Sequence, residues 1–174
     1  MFYNSFLALI AVLFGWLMLK KSSKLLRILY GFVWLIFLPN TIYILTDISH
    51  LLEDWNKVVL LFKIILIIQY SVFSFFGIVT FIYALYFFQK LFDSSFKILV
   101  INFAVGFAMV LGGIERTNSW YVFTNPMRVV NDIFDLISSF EMLMLSLGVG
   151  ILANIIYFLM LESVLTWGKK FLKK

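Results

Sequence analysis

Cysteine is absent from the 174 residues, histidine occurs once and proline twice. Without cysteine there is no disulfide scaffold and no thiolate zinc site. Two prolines and nine glycines exclude a collagen-like or low-complexity chain. Charge is scarce too: Asp, Glu, Lys and Arg make up 13% of the sequence, against about 25% in ordinary soluble domains. Disorder and a compact nucleic-acid binder fall with that scarcity. What fills the space is apolar, with 63% hydrophobic residues, 21 Phe, 5 Trp and a mean hydropathy of +1.03. A water-soluble chain of this length cannot bury so much apolar surface. The composition therefore predicts a lipid bilayer as solvent.

The apolar runs predict an all-α integral membrane bundle of five transmembrane helices in one polytopic domain over 1–174. The first, 2–19, carries no charge. The basic cluster Lys20, Lys21, Lys24 and Arg27 comes after it, the reverse of a cleaved signal, so the run is expected to remain as a span with its N-terminus outside. The second is expected over 25–46 with a kink at Pro39, whose ring removes a donor and crowds the carbonyl four residues back. The third, 58–88, has no turn signal and is long enough to tilt, with Lys63 snorkelling at the outer interface. Runs over 98–114 and 142–161 complete the set. Between these two, Asn125-Pro126 reads as an N-cap with proline next to it at the first helical position. It opens a short amphipathic outer-face helix over 126–139. Val130, Ile133, Phe134 and Ile137 form its apolar face, and Arg128, Asp132 and Asp135 its polar one.

Five spans put the termini on opposite sides, and the positive-inside rule assigns the sides. With the N-terminus outside, the cytoplasmic segments hold Lys20, Lys21, Lys24, Arg27, Lys90, Lys97, Lys169, Lys170, Lys173 and Lys174. Most acidic residues (Asp47, Glu53, Asp54, Glu115, Asp132, Asp135 and Glu141) fall outside. Trp16 and Trp167 sit at the inner interface, Trp55 and Trp120 at the outer one. The C-terminal basic tail reads as an anchor to anionic lipid, and the high pI as a topology signal with no nucleic acid implied. Small residues recur at helical spacing in Ala104, Ala108 and Gly112, in Ser71, Ser74 and Gly77, and in Ser146 and Gly150, which predicts close helix packing. Asn102, Gln69 and Asn154, single polar residues within the spans, are expected to bridge helices.

Two polar segments gather on the outer side. In Leu38 to Leu51, helical spacing puts Tyr43, Asp47, His50 and Asp54 on one stripe. An aspartate one turn from the only imidazole fixes its tautomer, as a general base requires; a capped helix end meeting headgroups and water explains the same residues. In the second segment, Glu115, Arg116, Thr117, Asn118, Ser119 and Trp120 come after the fourth span. Arg116 at that depth either pairs with a carboxylate, for which Asp47 is the partner at hand, or holds an anion. Ser119 with His50 would make a nucleophile and base. Asp47, His50, Asp54 and Glu115 are the donors a metal would use, but one histidine and no cysteine fall short of zinc spacing, so no metal and no cofactor are expected. No Walker loop, H-E-x-x-H, G-x-S-x-G or dinucleotide fingerprint is present.

The same segments carry a family resemblance. Leu38, Pro39, Asn40, Tyr43, Thr46, Asp47, His50 and Leu51, then Arg116, Asn118, Ser119 and Trp120, then Thr124, Asn125 and Pro126, resemble the hallmarks of the bacterial integral membrane family known as domain of unknown function 1361. Span order and spacing resemble it over nearly the whole chain. Gly113 stands where the family typically has a second arginine, and Tyr121 where an acidic residue usually comes after the tryptophan, which argues against a paired-arginine anion clamp. The resemblance implies where a site lies without implying its chemistry.

These readings favour a binding or accessory protein of the bacterial cytoplasmic membrane. Its outward pocket of Asn40, Tyr43, Asp47, His50, Arg116, Asn118 and Trp120 would take a lipid headgroup, an envelope precursor or a partner membrane protein. The alternatives are an outer-face hydrolase or transferase using Asp47 and His50 as base and Arg116 as anion clamp, and a membrane subunit of a small-solute transporter.

Overall fold

The computed structural model of the chain describes residues 2–20 and 23–172, with side chains described to 168. Lys21, Lys173 and Lys174, which the charge argument uses, lie outside the described residues. The chain is 89% helical with no strand among the described residues. Its helices are α1 (Phe2–Leu19), α2 (Lys24–Phe37), α3 (Pro39–Tyr43), a 3₁₀ segment (Ile44–His50), α4 (Leu51–Trp55), α5 (Leu60–Phe92), α6 (Ser95–Gly113), α7 (Tyr121–Thr124), α8 (Pro126–Ser138) and α9 (Phe140–Leu172). Five stretches are long and apolar enough to cross a membrane: Phe2–Leu19, Lys24–Trp55, Leu60–Phe92, Ser95–Gly113 and Phe140–Gly168. All five overlap the expected runs, and the second, third and fifth extend further, to Trp55, Phe92 and Leu172. Polar caps mark the starts: Ser23, Ser94 and Asn125 accept from the backbone N–H groups of Leu26, Lys97 and Arg128.

The second span breaks where Pro39 stands at the first position of α3. From Ile44 the chain winds more tightly than an α-helix. Thr46 Oγ1 donates to the Tyr43 carbonyl and Ser49 Oγ to the Thr46 carbonyl, each at 2.7 Å and each three residues back, the spacing of a 3₁₀ turn. This narrower winding overturns the expectation of one continuous α-helical stripe through Tyr43, Asp47, His50 and Asp54. Asp54 instead turns toward α5, where Tyr70 Oη donates to its Oδ2 at 2.8 Å.

Small residues set the distances between helices. At Gly77 of α5 a Cβ would lie 2.8 Å from the Thr41 carbonyl, so the broken span reaches α5 only because no side chain intervenes. Gly106 of α6 faces Ser146 and Gly150 of α9 backbone to backbone. Gly106 belongs to none of the small-residue stripes expected from spacing, and Ala104, which belongs to one, faces outward. Beside this contact Asn102 Nδ2 donates to Asn154 Oδ1 at 3.0 Å, the expected polar bridge. The core around Phe81, Leu85, Ile98 and Tyr157 lies between these contacts. Trp34 is also buried there, stacked on Phe88 at 4.9 Å and donating to the Ala84 carbonyl at 3.2 Å.

Helix α8 has three faces where two were expected. Val129, Ile133 and Leu136 turn toward the bundle, packing near Val110 and Leu111 of α6. Met127, Val130, Phe134 and Ile137 are exposed and apolar, and Asn131 and Asp135 are exposed and polar. Asp132, assigned by spacing to the polar outer face, points inward and accepts from Thr117 Oγ1.

Candidate functional site

The loop from Ile114 to Trp120 leaves α6 through Arg116, whose φ of 54° is left-handed, a conformation that L side chains seldom adopt outside glycine, asparagine and aspartate. The Thr117 N–H returns to the Leu111 carbonyl at 3.2 Å and closes the turn. Three further bonds pin the loop. Asn40 Nδ2 donates to Ser119 Oγ at 2.8 Å, Thr117 bonds Asp132, and an Arg128 guanidinium nitrogen donates to the Glu115 carbonyl at 3.3 Å. Arg128 also lies over the Tyr121 ring at 4.7 Å and 3.7 Å from Asp132. The backbone of Arg116 is thus held from both sides, while its side chain is exposed and makes no hydrogen bond or ion pair among the described residues.

Across from this loop stands the 3₁₀ segment, and between them opens a cavity of about 570 Å³. Tyr43, Thr46, Asp47, Ser49 and His50 line one side, and Gly112, Gly113, Arg116 and Asn118 the other. Tyr43 Oη reaches the Gly112 carbonyl at 3.4 Å. Of the seven residues expected to form a pocket, Tyr43, Asp47, His50, Arg116 and Asn118 meet here. Asn40 and Asn118 line an adjoining smaller cavity of about 70 Å³ with Tyr3 and Asn4. Trp120 lines neither; it packs edge-on against Tyr3 at 5.3 Å.

Individual pairings differ from those expected. Arg116 forms no ion pair with Asp47 among the described residues, because the left-handed turn leaves its guanidinium exposed at the mouth. The Glu53 carboxylate lies 3.8 Å from His50 Nδ1, three residues on. Ser119 is bonded to Asn40 and lines different cavities from His50, so no nucleophile–base pair forms between them. No three of His, Cys, Asp and Glu cluster as metal ligands among the described residues. On the far side of the 3₁₀ segment, Asp47 and His50 also border a cavity of about 400 Å³ with Glu53, Asp54, Gln69 and Tyr70. That segment is therefore a partition with a mixed-charge side and an acidic side.

The bond between Thr117 and Asp132 supports the site and has no signal in the sequence, since it depends on α8 folding back. Thr46, Ser49 and the glycine pair Gly112 and Gly113 also line it. Their signal is present in the sequence, as hydroxyls and small residues beside a polar motif, but it resembles ordinary local structure.

The sequence profile of a family described as "Protein of unknown function (DUF1361)" matches residues 3–156, a stretch that contains the whole site. No curated protein and no solved structure matches the chain.

Proposed function

The chain belongs to this family of unknown function, whose description brings no activity with it, and on its geometry we propose that it is a binding or accessory membrane protein. The ligand is the polar headgroup of a lipid or of a lipid-linked envelope precursor, held in the cavity between the 3₁₀ segment and the 114–120 loop. The setting is the bacterial cytoplasmic membrane, with the N-terminus and this cavity outside and the C-terminus inside, by the positive-inside argument. The observation that carries the reading is Arg116: a cation on a pinned, left-handed backbone, without a hydrogen bond or ion pair among the described residues, at the mouth of a cavity lined by hydroxyl, amide, imidazole and carboxylate groups. Strained backbone persists where surroundings over-determine it, characteristically at binding sites. A guanidinium offers a phosphate two parallel donors; Tyr43, Ser49 and Asn118 supply neutral hydrogen bonds for the rest of a headgroup.

A second reading, an outer-face hydrolase or transferase with His50 as base, Asp47 orienting it and Arg116 holding negative charge, draws on the same three side chains lining one cavity. The exposure of His50 and its proximity to Glu53 favour binding over catalysis.

Arg116→Gly separates the site from the fold, because glycine relieves the left-handed turn while deleting the guanidinium. A benzophenone amino acid placed at Gly113, which lines the cavity and has nothing within 4 Å of an added Cβ, is expected to cross-link a phosphorylated lipid in native membranes. The adduct should fall about tenfold in Arg116→Gly, the size of a lost charge-assisted bond, with thermal stability unchanged or raised. An adduct to a protein would turn the reading toward a partner membrane protein. No adduct, or one indifferent to Arg116→Gly and Asp47→Asn, refutes it. Turnover of the cross-linked lipid that stops in His50→Ala would establish the second reading.

A further inference from the structure

At the opposite end of the bundle, where α1, α5 and their neighbours carry Lys20, Lys24, Arg27, Lys90 and Lys97, a separate groove of about 530 Å³ opens between α2 and the pair α5 and α6. Its walls are almost wholly apolar. Trp34 and Phe88, stacked face to face within 3° of parallel, form one wall, Phe92 continues it, and Gly31, one turn before Trp34 on α2, adds no side chain, so that an added Cβ would lie 3.3 Å from the Met18 sulfur that also lines the groove. The Trp34 N–H is already given to the Ala84 carbonyl, so the wall offers a ligand no polar contact there. Polarity enters only at the rim, through Lys24 and Arg27, both exposed and one helical turn apart on α2. No carboxylate lines the groove among the described residues.

We infer that this groove binds one anionic phospholipid, its phosphate between Lys24 and Arg27 and an acyl chain lying along Trp34, Phe88 and Phe92. Charge complementarity selects the occupant: two cations above an apolar slot fit an anion joined to a hydrocarbon tail, which a zwitterionic lipid matches less well. The slot suits a chain rather than a helix, since it is a cavity of a few hundred cubic ångströms with aromatic walls and no row of small residues for a close backbone. This site is independent of the cavity at Arg116, at the other end of the molecule, and either stands if the other fails.

The test uses Trp34 as reporter, in protein whose Trp16, Trp55, Trp120 and Trp167 are replaced by phenylalanine. It is reconstituted in vesicles of phosphatidylcholine with increasing brominated phosphatidylglycerol or brominated phosphatidylcholine, and quenching of Trp34 is measured. Half-maximal quenching is expected at on the order of tenfold lower mole fraction for the anionic lipid, from about fivefold per basic side chain less the screening at the surface. The pair Lys24→Gln and Arg27→Gln should erase the difference. The pair Lys20→Gln and Lys90→Gln, which removes equal charge from the same end outside the groove, should leave it. Gly31→Leu fills the slot and should abolish quenching by the anionic lipid at low mole fraction. If the four-tryptophan replacement does not fold, the same variants of the wild-type chain are compared by counting retained phosphatidylglycerol in native mass spectrometry. Equal response to the two lipids overturns the inference, and so does an equal loss in both charge pairs, which would mean attraction to the whole surface.

Discussion

Gly106→Ala adds one methyl group where α6 and α9 touch backbone to backbone. An added Cβ would stand 2.5 Å from the Gly150 nitrogen and 2.9 Å from its Cα, and closer still to the Ser146 carbonyl, whereas ordinary contact begins near 3.4 Å. All three neighbours are main chain, so relief requires moving one helix by up to about 1 Å, and a gap of that size forfeits a quarter to a half of each dispersion well along the seam. Overpacking of this kind costs about 1–3 kcal/mol. Alanine returns up to about 1 kcal/mol through its better helix propensity, leaving a net loss of about 1 kcal/mol. Gly148→Ala is the control: it lies on α9 with nothing within 4 Å of an added Cβ, so only the propensity gain remains. Thermal unfolding in detergent, monitored by tryptophan fluorescence, should show Gly106→Ala lowered by about 2–4 °C and Gly148→Ala unchanged or raised. Should both variants rise together, close packing at Gly106 does not hold α6 to α9. Gly106→Leu must be worse than Gly106→Ala, because a larger side chain widens the same gap.

Asn102→Leu should lower stability by about 0.6–2 kcal/mol, since Asn154 Oδ1 then loses its donor while Nδ2 keeps its bonds to backbone carbonyls, and Asn102→Leu with Asn154→Leu should recover part of that loss; a double variant no better than the sum refutes the pairing. For orientation, a phosphatase or fluorescent reporter fused after Lys174 is expected to report the cytoplasmic side, and one in the 114–120 loop the outer side. Activity of the first only outside the cell would reverse the topology and place the Arg116 cavity inside.

The spans are legible because hydrophobic length is a one-dimensional property: an uncharged run such as Phe2–Leu19 needs no partner to be recognised. The cap at Asn125 and the break at Pro39 are equally local. What spacing does not supply is winding and direction. The Ile44–His50 segment winds as a 3₁₀ helix, and a change from 3.6 to 3.0 residues per turn moves Asp54 off the stripe it would share with Tyr43. Asp132 reads as a solvent-facing carboxylate until Thr117, fifteen residues earlier, is seen to donate to it. Asn40 and Ser119 are 79 positions apart, and no periodicity joins them. Polarity alone therefore marks the segments that line the cavity, while the pairings within it depend on tertiary contact.

The unequal helix lengths bear on the bilayer itself. With 18 residues, α1 reaches about 27 Å, whereas α5, with 33, reaches about 50 Å. A hydrocarbon layer of about 30 Å is met by tilting the long helix and by drawing the lipid inward around the short one. The start of α1 borders the cavities beside the 3₁₀ segment, through Phe2, Tyr3 and Asn4. A leaflet drawn inward around α1 would bring headgroups toward these polar residues. On the proposed headgroup binding, occupancy of the cavity is expected to be strongest in short-chain lipids and to weaken as the acyl chains lengthen.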